Sequence, residues 1–350
     1  MQLKYPEPVL LDKGFIPLLA STPNRKAFEG LKRGEKYCFE GTYGTAMAFY
    51  SWLKKQVNQI YPIVDYESSR ANRDMLRTLS QRVFARITNA QVDLTNTPSI
   101  PWLAKFYPNL PEFYLPFTDI LGINGAWQWF SNGISYPNLQ HKIHPYYGTY
   151  FPTRTEHLPL FDEWLQRSKS FNNAMDLGTG CGVLTFFMLK HGIGNVLATD
   201  INPNAIHSVE LDLQKQANSH KVSLLQTDLF SGVDTSNLDL VVFNPPWIPD
   251  KVNSSIDQAM FYDGGFFERF FQSASEVLPK GCKLVILFST FAQTAGLKVE
   301  HPITRELNNH NRYTLVNHIH IPITQKPSPR KNWLSDIRRN EHVELWELSC

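Results

Sequence analysis

The sequence has few cysteines and no long uncharged apolar run. Its 350 residues include four cysteines, Cys38, Cys181, Cys282 and Cys350, which lie far apart and form no Cys-x-x-Cys pair. This spacing argues against a zinc site and a disulfide-stapled secreted fold, and favours a reducing compartment. No uncharged stretch approaches the roughly 18 residues that a membrane-spanning helix needs. We therefore predict a cytoplasmic protein that does not enter a membrane.

A strong excess of one charge is also missing. The formal net charge is +2, and 19% of the residues are charged against 42% that are hydrophobic. This composition is that of an ordinary globular protein. Charge alone therefore gives no reason to expect a protein whose main partner is nucleic acid. The histidines supply no set of four ligands that can be placed together, so we predict no bound metal.

The pattern of the chain changes near residue 150. From about residue 170 onward, short apolar runs alternate with amphipathic helical segments, beginning with NAMDLG and ending with KLVILFST. Strands that alternate with helices predict βαβ units and an open parallel sheet. For residues 151–350 we therefore predict a Rossmann-like, doubly wound α/β fold. Its seven-stranded sheet is expected to be mostly parallel, with an antiparallel hairpin at one edge.

The first 150 residues show a different pattern. The segments TAMAFYSWLKKQVNQI and ESSRANRDMLRTLSQRVFARITN have helical periodicity,. We predict a mainly helical domain over residues 1–125 that contacts the substrate or covers it as a lid. Asn132-Gly133 lies between aromatic-rich runs, which is typical of a two-residue hairpin turn,. We therefore predict a β-hairpin linker over residues 126–150.

The first chemical motif is MDLGTGCGVL, in which Asp176 ends an apolar run and Gly178, Gly180 and Gly182 follow. Glycines at a strand-to-helix turn let a ligand approach the main chain, although close packing of strand and helix also favours them. The alternating spacing differs from the G-x-G-x-x-G of dinucleotide sites. Asp176 would also repel a pyrophosphate. S-adenosylmethionine, which has an ammonium group and no phosphate, suits the motif better.

Two further aspartates end the next predicted strands. Asp200 follows NVLAT and Asp228 follows SLLQT. Because the carboxyl ends of parallel strands meet at one edge of the sheet, these side chains are expected to lie together. Asp200 can accept the hydroxyl hydrogens of a ribose, and Asp228 can accept the amine of an adenine. The pattern therefore predicts a pocket for an adenosine compound.

The second chemical motif, Asn244-Pro245-Pro246-Trp247, ends the fourth predicted strand. Proline cannot continue a central strand, so the chain must leave the sheet there. The Asn244 side-chain oxygen and the Pro245 carbonyl are candidate acceptors for both hydrogens of a planar nitrogen, and Trp247 offers a face for stacking. A nitrogen held in this way would present its lone pair to a sulfonium methyl. The expected gain is mainly one of orientation.

Together, DLGTGCG, TDINPNAI, TDLF and NPPW resemble, in order and spacing, the class I S-adenosylmethionine-dependent methyltransferases. The chain is most similar to the HemK-type glutamine methyltransferases, although those have Tyr where Trp247 lies. The resemblance covers about residues 125–350. It implies a cofactor site made of Asp176, Gly178, Thr179, Gly180, Gly182, Asp200, Ile201, Asn202, Asp228, Leu229 and Asn244. It also implies a catalytic acceptor site made of Asn244, Pro245, Pro246 and Trp247.

The acceptor is open at this point. A protein glutamine or a small molecule with a planar amide or amine nitrogen is the first expectation. The adenine of RNA or DNA is an alternative, because its amine is also a planar nitrogen with two hydrogens, but such an enzyme normally presents a basic groove. A module that binds S-adenosylmethionine or RNA without catalysis is a further alternative.

Overall fold

The computed structural model describes residues 2–10, 14–252, 257–323 and 333–350. It divides the chain into a unit over Tyr5–Gln128 and a unit over Trp129–Cys350, to which the residues up to Lys4 also belong. The division falls within a helix, Phe117–Asn132. Within the described residues, every helix is either too short or too polar to span a bilayer.

The first unit contains a sheet as well as helices. Its strands are β1 (Ile16–Leu18), β2 (Tyr37–Phe39), β3 (Val83–Thr88), β4 (Gln91–Val92) and β5 (Glu112–Pro116). Its helices are α1 (Asn24–Arg33), α2 (Tyr43–Ile60), α3 (Tyr66–Ser80), α4 (Trp102–Phe106) and the start of α5 (Phe117–Asn132). Strands β1, β2 and β3 are parallel, and β4 and β5 pair antiparallel with β3. The prediction of a mainly helical first domain therefore missed this sheet, but helices contribute more residues to the unit than strands do, and the two predicted helical segments are largely helical as α2 and α3.

The predicted hairpin turn at Asn132-Gly133 is wrong. Helix α5 continues through Asn132, and Gly133 follows with a positive φ of 66°. The Gly133 N–H donates to the Trp129 carbonyl at 2.9 Å, which closes the last turn of the helix. Asn-Gly thus marks a helix end, where glycine accepts the left-handed conformation. The later pairing in this segment is an isolated antiparallel bridge between Ile134 and Ile143.

The second unit has the predicted Rossmann-like architecture. Its strands are β6 (Asn173–Leu177), β7 (Asn195–Asp200), β8 (Val222–Gln226), β9 (Leu240–Phe243), β10 (Ile248–Pro249), β11 (Phe261–Tyr262), β12 (Lys283–Ser289), β13 (Thr314–Pro322) and β14 (His342–Ser349). Its helices are α6 (His157–Arg167), α7 (Val183–Lys190), α8 (Pro203–Leu213), α9 (Phe266–Val277), α10 (Phe291–Thr294), α11 (Pro302–Asn309) and α12 (Trp333–Arg339).

Seven strands form one sheet in the order β13-β14-β12-β9-β6-β7-β8. Strand β14 pairs antiparallel with both of its neighbours, and the other pairs are parallel. The expected mostly parallel seven-stranded sheet with an antiparallel edge pair is confirmed. The chain leaves β6 on one side toward β7 and returns on the other as β9, so the sheet has its switch point between β6 and β9. Doubly wound folds bind ligands outside the carboxyl ends of the strands at such a point.

Each face of this sheet has its own apolar core. Ala174 and Val242 face one core together with α6 and α7, whereas Met175 and Val241 face the other together with α9. Neighbouring residues of a strand point to opposite faces. Asp176 follows the parity of Ala174, and its side chain therefore lies toward α7.

Candidate functional site

An open cavity lies at the carboxyl ends of β6, β7, β8 and β9. Its volume is about 1010 Å³, including space open to solvent. The predicted residues that line it are Gly178, Thr179, Gly180, Asp200, Ile201, Asn202, Asp228, Leu229, Asn244 and Pro246. Asp176, Gly182, Pro245 and Trp247 were also predicted for the site but are not part of the cavity wall.

Asp176 supports the loop that contains Gly178, Gly180 and Gly182, the glycine loop, through hydrogen bonds. Its side chain is fully buried, and its Oδ2 accepts hydrogen bonds from Thr179 Oγ1 at 2.7 Å, Thr185 Oγ1 at 2.6 Å and the Thr185 N–H at 3.0 Å. Burial raises the pKa of this carboxyl group, while the threonine donors oppose the rise. The observed hydrogen bonds of Asp176 join the loop to the first turn of α7. Its direct contact with a cofactor stays a prediction.

Gly178 and Gly180 bring main chain to the cavity surface. Both have positive φ angles, 68° and 54°. A Cβ atom at Gly180 would lie 3.1 Å from the Tyr150 carbonyl oxygen, and one at Gly178 would lie 3.4 Å from the Phe243 ring. A side chain at either position would therefore be strained and would narrow the space available to a ligand.

Gly182 has a packing role. Its φ is 83°, and a Cβ atom there would lie 2.9 Å from Val209 Cγ2. The residue faces the core between α7 and α8, and its predicted cofactor contact stays a prediction. The alternative explanation of this motif, close packing of strand and helix, applies to Gly182.

We expect Gly182→Ala to be more destabilising than Gly192→Ala. Gly192 has nearly the same φ, 80°, but a Cβ atom added there would have no neighbouring atom within 4 Å. Gly192→Ala should cost about 1–2 kcal/mol for the left-handed backbone. Gly182→Ala should cost roughly 1–3 kcal/mol more for overpacking. Urea denaturation of both variants measures the difference, and equal losses of stability would contradict the packing role.

Asp200 ties the glycine loop to the start of α8. Its Oδ2 accepts the Gly180 N–H at 2.9 Å, and its Oδ1 accepts the Asn202 N–H at 2.8 Å. Burial raises the pKa of Asp200 to about 6. A carboxylate has about four lone-pair positions, so each oxygen can accept one further hydrogen bond. Asp200 can therefore hold a ligand with two hydroxyl groups while it keeps its own loops in place.

A segment before α6 closes one side of the cavity. Gly148, Tyr150 and Pro152 line it, although none was predicted as a site residue. Asn202 Nδ2 donates to the Gly148 carbonyl at 2.8 Å, and Tyr136 Oη donates to the Pro152 carbonyl at 3.0 Å. These bonds join residues distant in the sequence. The only local signal was the aromatic character of the segment, which predicts burial but not a place in the cavity.

Cys181 contributes to the wall as an uncharged group. The side chain is buried, and burial raises the pKa of its thiol to about 12. The thiolate is the nucleophilic form of cysteine. Cys181 therefore stays protonated near neutral pH and fills space beside the glycine loop.

Asp228 and Leu229 lie in the cavity wall, just after the carboxyl end of β8. Leu229 has a φ of 48°, an uncommon conformation for a residue with a branched side chain,. The Ser231 N–H donates to the Asp228 carbonyl at 3.0 Å and closes the turn. The turn keeps Asp228 and Leu229 side by side in the cavity wall.

Trp247 is not part of the cavity wall. Its Nε1–H donates to Asn244 Oδ1 at 3.0 Å and to the Leu287 carbonyl at 3.2 Å. The indole N–H thus bonds both to the main chain of β12 and to the side chain of Asn244. The stacking of a substrate on the Trp247 face stays a prediction.

His157 packs against the Trp247 indole. The two ring centroids are 5.5 Å apart and the planes meet at 86°. His157 is 1% exposed, and neither ring nitrogen has a hydrogen-bond partner among the described residues. Burial lowers the pKa of His157 to about 4. The ring is therefore neutral near pH 7.

This burial predicts a specific acid sensitivity. The unfolded chain binds a proton at His157 near its ordinary pKa of about 6.5, whereas the folded protein does not until about pH 4,. The free energy of unfolding should therefore fall by up to about 1.4 kcal/mol per pH unit as pH drops through this window. In His157→Phe this component should be absent, and replacement of the exposed His220 by Phe serves as the control. Chemical denaturation at several pH values tests it, and identical pH profiles for His157→Phe and wild type would refute it.

Comparison with known proteins adds family evidence. Residues 160–317 match the family described as the methyltransferase small domain. A protein of Methanocaldococcus jannaschii, named provisionally as a protein N5-glutamine methyltransferase, is 29% identical over 125 residues, which cover 34% of this chain and 62% of that protein. The ribosomal protein uL3 glutamine methyltransferase of Neisseria gonorrhoeae is 30% identical over 86 residues, 24% of this chain and 28% of its own length. The tRNA1(Val) (adenine(37)-N6)-methyltransferase of Glaesserella parasuis is 26% identical over 111 residues, 31% and 47% of the two chains. The chain thus spans less than two thirds of the length of each of these relatives.

Proposed function

Since residues 160–317 match the methyltransferase small domain family, we propose that this protein is an S-adenosylmethionine-dependent N-methyltransferase. The proposed acceptor is a planar amide nitrogen of a protein glutamine. The observation that carries the proposal is that Asp200, Asp228 and Asn244 line one cavity at the switch point of the sheet. The first two residues suit an adenosine group, and the third suits an acceptor beside it.

The charge of the cavity fits this cofactor. Asp200 and Asp228 line the cavity, and no lysine, arginine or histidine does so within the described part of the chain. A cofactor with phosphate groups would meet two carboxylates and no cation in that wall. S-adenosylmethionine carries a sulfonium and an ammonium group and has no phosphate. Coulomb attraction therefore favours it in this cavity.

Each lining residue has a role in this proposal. S-adenosylmethionine supplies the electrophilic methyl group when it is bound. Asp200 accepts hydrogen bonds from the ribose hydroxyls, and Asp228 accepts one from the adenine amine. Gly178 and Gly180 leave room for the methionine part beside the main chain. Asn244 accepts an N–H of the acceptor and turns its nitrogen lone pair toward the methyl group, a gain of orientation that requires no strong base.

Two of the three relatives described above favour a glutamine acceptor. They are named as glutamine methyltransferases, whereas the third is named as an adenine methyltransferase. The small net charge of +2 fits a protein acceptor better than a nucleic acid, whose binding depends on several phosphate contacts,. A primary amide also offers the two N–H groups that the Asn244 oxygen and a neighbouring carbonyl can accept.

Calorimetry tests the cofactor part of the proposal. S-adenosylmethionine titrated into the purified protein should bind at one site per chain, and S-adenosylhomocysteine should compete for that site. NAD⁺ is the matched control, because it shares the adenosine group but carries a pyrophosphate. Binding of NAD⁺ in preference to S-adenosylmethionine, or binding of neither compound, would overturn the proposal.

A further inference from the structure

We propose that Trp247 is a positioning residue that fixes the orientation of the Asn244 carboxamide and so selects acceptors that donate an N–H. The inference rests on the proposed function. It goes beyond that function because it explains how the site distinguishes a reacting atom that donates a hydrogen bond from one that accepts a hydrogen bond. The observation behind it is the bond of 3.0 Å from Trp247 Nε1 to Asn244 Oδ1.

An asparagine side chain can be turned over with almost no change of shape. The turn exchanges an oxygen that accepts hydrogen bonds for an NH₂ group that donates them. A neighbouring group must therefore determine which of the two a ligand meets. The indole N–H only donates, so it bonds to the oxygen and not to the NH₂ group. With Trp247 in place, one orientation of Asn244 is stabilised.

Two further contacts hold Trp247 itself in place. Its N–H is shared with the carbonyl of Leu287, which belongs to the central strand β12. The edge-on contact with buried His157 limits rotation of the indole. Fixed neighbours of this kind are what a positioning residue needs, because a mobile donor would not hold the amide.

The fixed Asn244 carboxamide keeps a hydrogen-bond acceptor available to the ligand. A carboxamide oxygen has two lone pairs, and Trp247 uses one of them. The second lone pair can accept an N–H from a primary amide or amine. It would repel the oxygen of a carboxylate. Trp247 thus favours glutamine over glutamate as the acceptor through Asn244, without touching the substrate itself.

The test replaces the indole N–H and keeps the shape. Trp247→benzothienylalanine, introduced by amber suppression, exchanges the N–H for a sulfur atom in a ring of nearly the same size. Trp164 is the matched control, because its Nε1 also donates to a side chain, Glu347 Oε2 at 3.0 Å, and it does not line the cavity. The same replacement at Trp164 removes an equivalent hydrogen bond elsewhere in the second unit.

Two cofactor analogues provide a readout that does not depend on the acceptor. Sinefungin carries an amine where S-adenosylmethionine carries its methyl group, and S-adenosylhomocysteine carries nothing there. Wild type should bind sinefungin more tightly. In Trp247→benzothienylalanine this preference should fall by about threefold to tenfold, which is the effect of one neutral hydrogen bond. The affinity for S-adenosylhomocysteine should stay within about twofold, and the Trp164 variant should behave as wild type.

A double-mutant cycle separates positioning from general loss of structure. In Asn244→Asp both side-chain oxygens accept, so orientation no longer matters. The Trp247 replacement should then leave the sinefungin preference unchanged. An undiminished preference in the Trp247 single variant, or an equal loss in the Asn244→Asp background, would overturn the positioning role. A wild type that binds neither analogue would overturn the proposed function itself, and this result is distinct from a wild type that binds both equally, which overturns only the present inference.

Discussion

Replacing Asn244 with alanine should lower methyl transfer by a factor of roughly 100 or more, the usual cost of removing a polar group that acts on the transition state. The affinity for S-adenosylmethionine should stay within about twofold of wild type, because the adenosine group is proposed to be held by Asp200 and Asp228 at the other strand ends. The structural reason is that Asn244 lines the cavity at the end of β9, beside Gly178 and Phe243. Initial rates with labelled cofactor and calorimetry on the same preparation measure both quantities.

Asn195→Ala is the matched control for this experiment. Asn195 is an exposed asparagine that begins β7, at the opposite end of the sheet from the cavity. Its replacement should change neither the rate nor the cofactor affinity. Unchanged turnover in Asn244→Ala would refute the role of Asn244 in holding the acceptor. A parallel loss of cofactor affinity would move Asn244 from the acceptor site to the cofactor site.

Replacing Asp200 with alanine should have the reverse effect and weaken cofactor binding by roughly 100-fold, as expected for two hydrogen bonds to a charged group. The variant also leaves the N–H groups of Gly180 and Asn202 without their present partner. The loop that lines the cavity should therefore become less ordered. Calorimetry with S-adenosylmethionine gives the affinity, and thermal denaturation shows whether the fold is retained.

Asp200 also predicts a pH dependence with a definite sign. Its pKa is raised to about 6, so the carboxylate loses its charge as pH falls through that value. The dissociation constant for the cofactor should rise by up to about tenfold per pH unit below pH 6, since one proton must leave before the carboxylate can bind. Asp200→Asn should bind weakly at every pH and show a flat profile. A wild-type affinity that does not change between pH 7.5 and pH 5 would contradict this account.

The sheet and the family could be predicted because their signals are local and regular. The central strands β9 and β12 are apolar runs bounded by polar residues, and the motifs occur in a fixed order along the strands of the sheet. The predicted methyltransferase family is confirmed over residues 160–317. Asp200, Asp228 and Asn244 lie at one cavity as expected, because residues that follow parallel strands must meet at the same edge of the sheet,.

The residues that were predicted for the site but lie outside the cavity wall depend on contacts that a local pattern does not contain. Asp176 precedes the end of its strand by one residue, so the alternation of side chains turns it toward α7 and away from the cavity. Trp247 bonds to the Leu287 carbonyl, 40 positions away in sequence. The motif therefore predicted an aromatic group near the site but not which of its atoms is used.

The sheet of the first unit was not predicted, for a related reason. Its strands β1 and β2 have three residues each, too few to show alternation. Their partners are distant in sequence, because one helix separates β1 from β2 and two helices separate β2 from β3. The long helices α2 and α3 dominate the pattern, and the short parallel strands between the helices have no periodicity that distinguishes them from loops.

The most direct test of the account is a methylation assay with labelled S-adenosylmethionine on cell extract, separated into protein, nucleic acid and small molecules. Wild type should transfer label to the protein fraction, with the methyl group on a glutamine nitrogen, and Asn244→Ala should transfer roughly 100-fold less. Label that enters only the nucleic-acid fraction would contradict the proposed acceptor. A wild type that binds the cofactor but transfers label to none of the three fractions would contradict the proposed activity.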